Sequence, residues 1–259
     1  MSKLTWRDVD VLELTPRMSV AVAQGSGFGS PGGAMIVRNP PGNRWLKRLV
    51  WPAYKFATDW LFDGYIERYA GRMIADCLNP GDAFLDVACG DMSVARYVPA
   101  DTWYNAFDFQ LVDFHLQRTL SRTRCANVAV ASVEDIPLDD LSVDVLVCLQ
   151  AFIHFPDFDK AAAELARVAK PGARLVCSIS NNFANLYKVR GPHPDFTHDW
   201  TFTGFADDMA RHGFSLVRGE MRGRWIPTPD WLTQRTLTLP IKRAEEQDNL
   251  IFFYIFEKK

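Results

Sequence analysis

Two aspartates, Asp86 and Asp108, stand 22 residues apart, and each closes a short apolar run. The first runs straight into the turn Ala88-Cys89-Gly90-Asp91-Met92. A carboxylate at a strand tip accepts hydrogen bonds from an ammonium or hydroxyl group, and the backbone N–H groups of a tight turn that opens a helix suit a carboxylate or phosphate. A zwitterion fits both ends. Further along, Ser132 and then Gln150 and His154 follow two more apolar runs. A histidine there could take a proton near neutral pH, and it could equally be structural. The bland alternatives are a buried strand and turn for the first acid and a helix cap for the second. The two acids together outweigh these, because their interval fits one β-α-β step, which sets strand tips side by side.

The elements that must position these residues follow from apolar patterning. Strands are expected from Ala83 to Val87, Trp103 to Phe107, Asn127 to Ala131, Ser142 to Leu149, Arg174 to Ile179, Phe214 to Arg218 and Leu250 to Phe256. Ser93 to Val98 can begin a helix, Asp159 to Lys170 reads as an amphipathic helix capped by Asp159 and stopped by Pro171-Gly172, and Thr203 to His212 as one closed by Gly213. Between Asn43 and Leu78, helical spacing broken near Pro52 and Gly64 predicts two or three helices forming a lid. The Gly/Ser/Pro-rich run from Gly25 to Gly33 reads as a mobile linker. It lacks the following helix and the Lys-Ser/Thr of a phosphate loop.

A nicotinamide fingerprint needs three spaced glycines, and this turn holds one of them, Gly90. The pattern instead resembles the first motif of the class I S-adenosylmethionine-dependent methyltransferases, a strand-end acid followed by G-x-G-x-G, with Ala88, Gly90 and Met92 at the glycine positions. Ser132-Val133-Glu134-Asp135-Ile136-Pro137 is similar to a second family motif, with Ser132 where an Asp is usual. Glu164 to Leu175 resembles a third, the Glu-x-x-Arg-Val-Leu-Lys-Pro-Gly-Gly element. The resemblance spans roughly residues 80 to 220. It implies an α/β fold, a three-layer α/β/α sandwich on a mainly parallel seven-stranded sheet whose last strand is antiparallel, with an N-terminal helical lid. It implies S-adenosyl-L-methionine as cofactor. Asp86 and the loop Ala88, Cys89, Gly90 and Met92 would then hold the methionyl part, Asp108 the ribose, and Ser132 with Val133 the adenine, with Phe109, Glu134 and Leu149 completing the cofactor-binding set. Gln150 and His154 would border the methyl group, with His154 as the candidate base.

Composition sets the outer bounds. With 259 residues, 48% hydrophobic and 23% charged, the chain can bury a full core. A formal charge of −2 gives no general field for gathering nucleic acid. Five widely spaced cysteines without zinc-like partners argue for reduced thiols, a cytoplasmic setting and no metal. No apolar run approaches a membrane span. The expected division is an N-terminal extension with linker over 1–42, a helical lid over 43–79, and a cofactor-binding domain over 80–259 with insertions at 181–200 and 221–249. Residues 221–249 would shape an acceptor pocket or a homo-oligomer contact. The basic, Trp-containing stretch 38–58 is a solvated face, or else meets an anionic acceptor or a membrane surface. The expected activity is methyl transfer to an oxygen or nitrogen of a small-molecule or glycan-like acceptor. The alternative is a binding or scaffold protein that keeps the fold without catalysis.

Overall fold

The computed structural model describes residues 3–7, 9–15, 18–23, 64–99, 102–109, 126–185, 196–226, 237–239 and 243–259. Seven strands form the expected sheet: β3 (Phe84–Val87), β4 (Tyr104–Asp108), β5 (Ala126–Val130), β6 (Val143–Leu149), β7 (Ala169–Ser180), β8 (Phe214–Arg222) and β11 (Ile251–Lys258). Their order is β5-β4-β3-β6-β7-β11-β8, parallel from β5 to β7, with β11 antiparallel to both neighbours. Order reverses between β3 and β6, where a doubly wound sheet opens a crevice at its strand tips.

Side chains alternate across the strands into two cores. On one face Leu85, Val87, Phe107, Leu146, Leu175 and Tyr254 pack with helix α2 (Phe158–Val168) and helix α3 (Phe202–Arg211). On the other, Phe84, Ala106, Val145, Val176 and Phe253 pack with Met73 and Ile74 of helix α1 (Gly64–Cys77). This is the three-layer sandwich. The rest of the expected lid, and the linker with the basic stretch 38–58, lie outside the described residues.

The N-terminal extension joins the sheet instead of standing apart from it. Strands β1 (Val9–Thr15) and β2 (Met18–Ala23) form a hairpin, and β2 pairs in parallel with β5, so the sheet has nine strands. Just before them, Leu4 and Trp6 are buried in the core. Asn105 of β4 and Asn127 of β5 hold this segment: Leu4 N–H donates to Asn105 Oδ1 (3.0 Å), Asn127 Nδ2 to the Leu4 carbonyl (2.9 Å), and Trp6 Nε1 to Asn127 Oδ1 (2.9 Å). Two buried amides that would be costly alone become a clamp. Strands β9 (Arg224–Ile226) and β10 (Leu237–Leu239) form a separate two-stranded ribbon within the 221–249 insertion.

Two local expectations need correction. Residues 93–97 form a five-residue 3₁₀ turn and not the start of an α-helix, because Pro99 forces Val98 into extended backbone (ψ 133°). Helix α2 is capped by Asp157, whose side chain accepts from Lys160 N–H, and Asp159 falls inside it. The described residues contain no helix long and apolar enough to cross a membrane.

Candidate functional site

The site begins with the β3 tip. Asp86 is 2% exposed and accepts a hydrogen bond from the Tyr104 hydroxyl, itself fully buried. Burial pushes the Asp86 carboxyl up to about 7; Tyr104 pulls it down, and the Asp108 and Asp91 carboxylates push it further up. The turn that follows is left-handed at all three positions where the motif expects glycine, with φ of 52° at Ala88, 49° at Gly90 and 54° at Met92. Glycine is the usual residue there because a Cβ costs roughly 1–2 kcal/mol in that region. Here the geometry persists although two glycines are gone.

The turn's N–H groups are already used. Cys89 N–H bonds the Phe107 carbonyl (3.0 Å), Gly90 N–H bonds Asp108 Oδ2 (2.8 Å), Met92 N–H bonds the Cys89 carbonyl (2.7 Å) and Ser93 N–H bonds Asp91 Oδ1 (3.1 Å). The expected cradle of unpaired N–H groups for a ligand carboxylate is therefore not formed by these four. The first two tie the turn to the end of β4, and the other two close the turn on itself. The acidic half of the expected zwitterion site stands, and the anion-binding half does not rest on this turn.

Two adjoining pockets open at the strand tips. A smaller one of about 290 Å³ is lined by Asp86, Ala88, Cys89, Gly90, Asp91, Ser93, Val94, Leu149, Gln150, and Ile66 and Glu67 of α1. A larger one of about 730 Å³ is lined by Phe107, Asp108, Phe109, Ala131, Ser132, Val133, Glu134, Ala151, His154, Phe155 and Pro156. Both share Ala88, Gly90, Leu149 and Gln150. Of the residues singled out in the sequence, only Met92 lines neither. It is 2% exposed and packs in the core beside α1, so it does not crowd a ligand.

Within the large pocket, Phe109 is 59% exposed at the rim. Ser132 Oγ accepts Glu134 N–H (3.1 Å), so one acceptor site of the hydroxyl serves its own turn. Glu134 accepts the Asp157 N–H at the start of α2 (3.2 Å). Gln150 adopts φ 58°, and its amide is fixed at both ends, donating to Ser178 Oγ (3.0 Å) and accepting from the Ser180 hydroxyl (2.5 Å). His154 is exposed, with its ring 5.5 Å from that of Phe196. Burial pushes the Cys89 thiol well above its ordinary value, which keeps it neutral beside the pocket.

Sequence reasoning missed Tyr104 and the α1 residues Ile66 and Glu67. Tyr104 reads as one more apolar strand position, and only the β3–β4 register reveals that its hydroxyl reaches Asp86. The helical spacing around Ile66 carried a signal for a buried face, but not for which pocket it meets.

A small acid-floored pocket joined to a larger aromatic one at the reversal of strand order fits an adenosyl amino acid. In agreement, a family model described as a methyltransferase domain matches residues 85–177. Residues 85–177 are thus similar to a methyltransferase domain. The 2-methyl-6-phytyl-1,4-hydroquinone methyltransferase of Synechocystis sp. is 31% identical to it over 177 residues, 61% of this chain and 54% of that protein. The 24-methylenesterol C-methyltransferase 2 of Oryza sativa subsp. japonica is 28% identical over 134 residues, 48% of this chain and 37% of that protein. The chain thus spans about half the length, or less, of these curated relatives. Among solved structures, an S-adenosylmethionine-dependent methyltransferase of Thermotoga maritima shares the fold with a TM-score of 0.53 at 17% identity, covering 83% of this chain and 97% of its own.

Proposed function

We propose that the protein is an enzyme that transfers the methyl group of S-adenosylmethionine to a small-molecule acceptor. The observation that carries this reading is the pair of adjoining pockets sharing Ala88, Gly90, Leu149 and Gln150. When bound, S-adenosylmethionine supplies an electrophilic methyl group on a sulfonium centre. Asp86 would meet the ligand ammonium in the small pocket. Asp108 would accept from the ribose hydroxyls, Phe109 would cover the nucleoside, and Ser132 and Val133 would face the adenine. Gln150, locked by two serines, would fix the boundary where the two pockets join.

Positioning is the main source of rate in such a transfer, because holding donor and acceptor in line removes most of the entropic cost. An oxygen or nitrogen acceptor would have the lone pair needed to attack, and His154, which lines the larger pocket, would take its proton. A small acceptor is favoured because both curated relatives are named for small molecules, a hydroquinone and a sterol. The formal charge of −2 gives nucleic acid no general attraction.

Calorimetric titration with S-adenosylhomocysteine tests the reading. The wild type should bind, and Asp108→Ala should weaken binding by about 1.5–3 kcal/mol while circular dichroism shows it folded. No binding at millimolar ligand would leave a scaffold that keeps the fold alone.

A further inference from the structure

We propose that Tyr104 is a positioning residue of this site, biasing Asp86 toward its carboxylate form and orienting it so that its other oxygen can receive the ligand ammonium group. The proposal rests on the methyltransferase reading for the ligand, but its geometry is independent of it. Asp86 and Tyr104 come from neighbouring strands β3 and β4, paired so that Asp86 lies opposite Ala106. Tyr104 therefore stands one side-chain repeat back on the same face, and its hydroxyl donates to Asp86 Oδ2.

The charges facing Asp86 explain why it needs such a partner. Asp108 of β4 and Asp91 of the turn bear on it as like charges, and Cys89 of the turn is a thiol held neutral by burial. Glu67 of α1 lines the same small pocket. The Tyr104 hydroxyl is thus the group on these elements that favours the carboxylate form, and burial holds that phenol well above its own ordinary range, so it stays a donor. An apolar residue at 104 would leave a buried acid among acids, which takes up a proton and meets an ammonium poorly.

The test is Tyr104→Phe, which removes the donor and keeps the ring. In S-adenosylhomocysteine titrations, the variant should bind roughly tenfold more weakly than wild type near pH 7 and approach it to within about threefold near pH 9, as the acid ionises without help. Thermal melts of the ligand-free proteins give a second readout. The gap between wild type and Tyr104→Phe should widen as pH rises through about 7, and this widening should vanish in an Asp86→Asn background. A gap of constant size at all pH, in both readouts, would overturn the proposal and leave Tyr104 a packing residue. If the wild type binds no ligand at any pH, the methyltransferase reading falls, and the melts alone decide the role of Tyr104.

Discussion

Carboxylates at two places in this molecule meet opposite fates. Beside the β5–β6 connection, Glu164 of α2 accepts both Nε and Nη2 of Arg167 at 2.8 Å and the Ile136 N–H at 2.8 Å. Arg167 also donates to the Ile136 carbonyl (2.7 Å), the Leu138 carbonyl (2.8 Å) and Asp140 (2.7 Å). Burial works against the Glu164 charge, but these donors outweigh it and hold the acid below its usual value. At the strand tips, burial lifts Asp86 to about 7 against the pull of the Tyr104 hydrogen bond, and the Asp108 and Asp91 carboxylates add like charge. Backbone strain divides the same way. Among the described residues, Ala88, Met92 and Gln150 at the tips, and Leu141 elsewhere, are the non-glycine positions with left-handed φ. A scaffold compensates its charges internally, whereas a binding site leaves part of that to the ligand, and costs stability meanwhile.

The largest expected effect tests the compensated side. Arg167→Ala strips the partner from Glu164 and from two backbone carbonyls, so urea unfolding should show a loss of about 3–5 kcal/mol. The affinity of the remaining folded protein for S-adenosylhomocysteine should hold. A loss under 1 kcal/mol would mean that water replaces the guanidinium at little cost.

Asp86→Asn should do the reverse. The folded chain keeps the Asp86 proton between about pH 4 and 7, where the unfolded chain has lost it, so the wild type loses stability as pH rises through that window. Near pH 8 the Asn variant should therefore be more stable than wild type by about 2 kcal/mol when ligand-free, with no gain near pH 4. Its ligand affinity should nonetheless fall. Glu220 gives the opposite slope within one experiment: burial is outweighed by Tyr69, Arg218 and Arg222, its carboxyl sits at about 2, and its contribution is lost as pH drops below about 4.5. A wild-type melting profile without a decline between about pH 4 and 7 would contradict the assignment of a buried, protonated Asp86.

The smallest effect concerns strain. Ala88→Gly relieves a left-handed φ of 52° and gives up one half-buried methyl group, so the melting temperature should rise by an amount worth about 0.5 kcal/mol. A fall would show that the methyl packs more usefully than the strain costs.

The sheet was legible from apolar runs because β3, β4, β5 and β6 are buried along nearly their whole length. Asp86 and Asp108 were legible because each closes an apolar strand and the two strands are neighbours, although a 3₁₀ turn stands where the expected helix would begin. The spent N–H groups were not, since those at 89 and 90 depend on the register with β4 and those at 92 and 93 on the local turn geometry. The inward turn of Met92 was hidden for a related reason: a left-handed residue redirects its side chain, and no linear pattern announces that. Within the N-terminal extension, residues 3–7 carry no readable signal, because the two isolated apolar side chains Leu4 and Trp6 have no period. Their burial depends on asparagines far away in the chain.

That clamp has a consequence for how the protein is made. Leu4 and Trp6 bond to partners 101 to 123 residues later in the chain. At common rates of synthesis they leave the ribosome many seconds before Asn127 exists, and contacts of such long separation close late. In the interval Trp6 has no pocket and the flank of β4 and β5 lies open. Residues 3–7 therefore wait in the nascent chain, open to wrong partners or to a chaperone, until β4 and β5 are made.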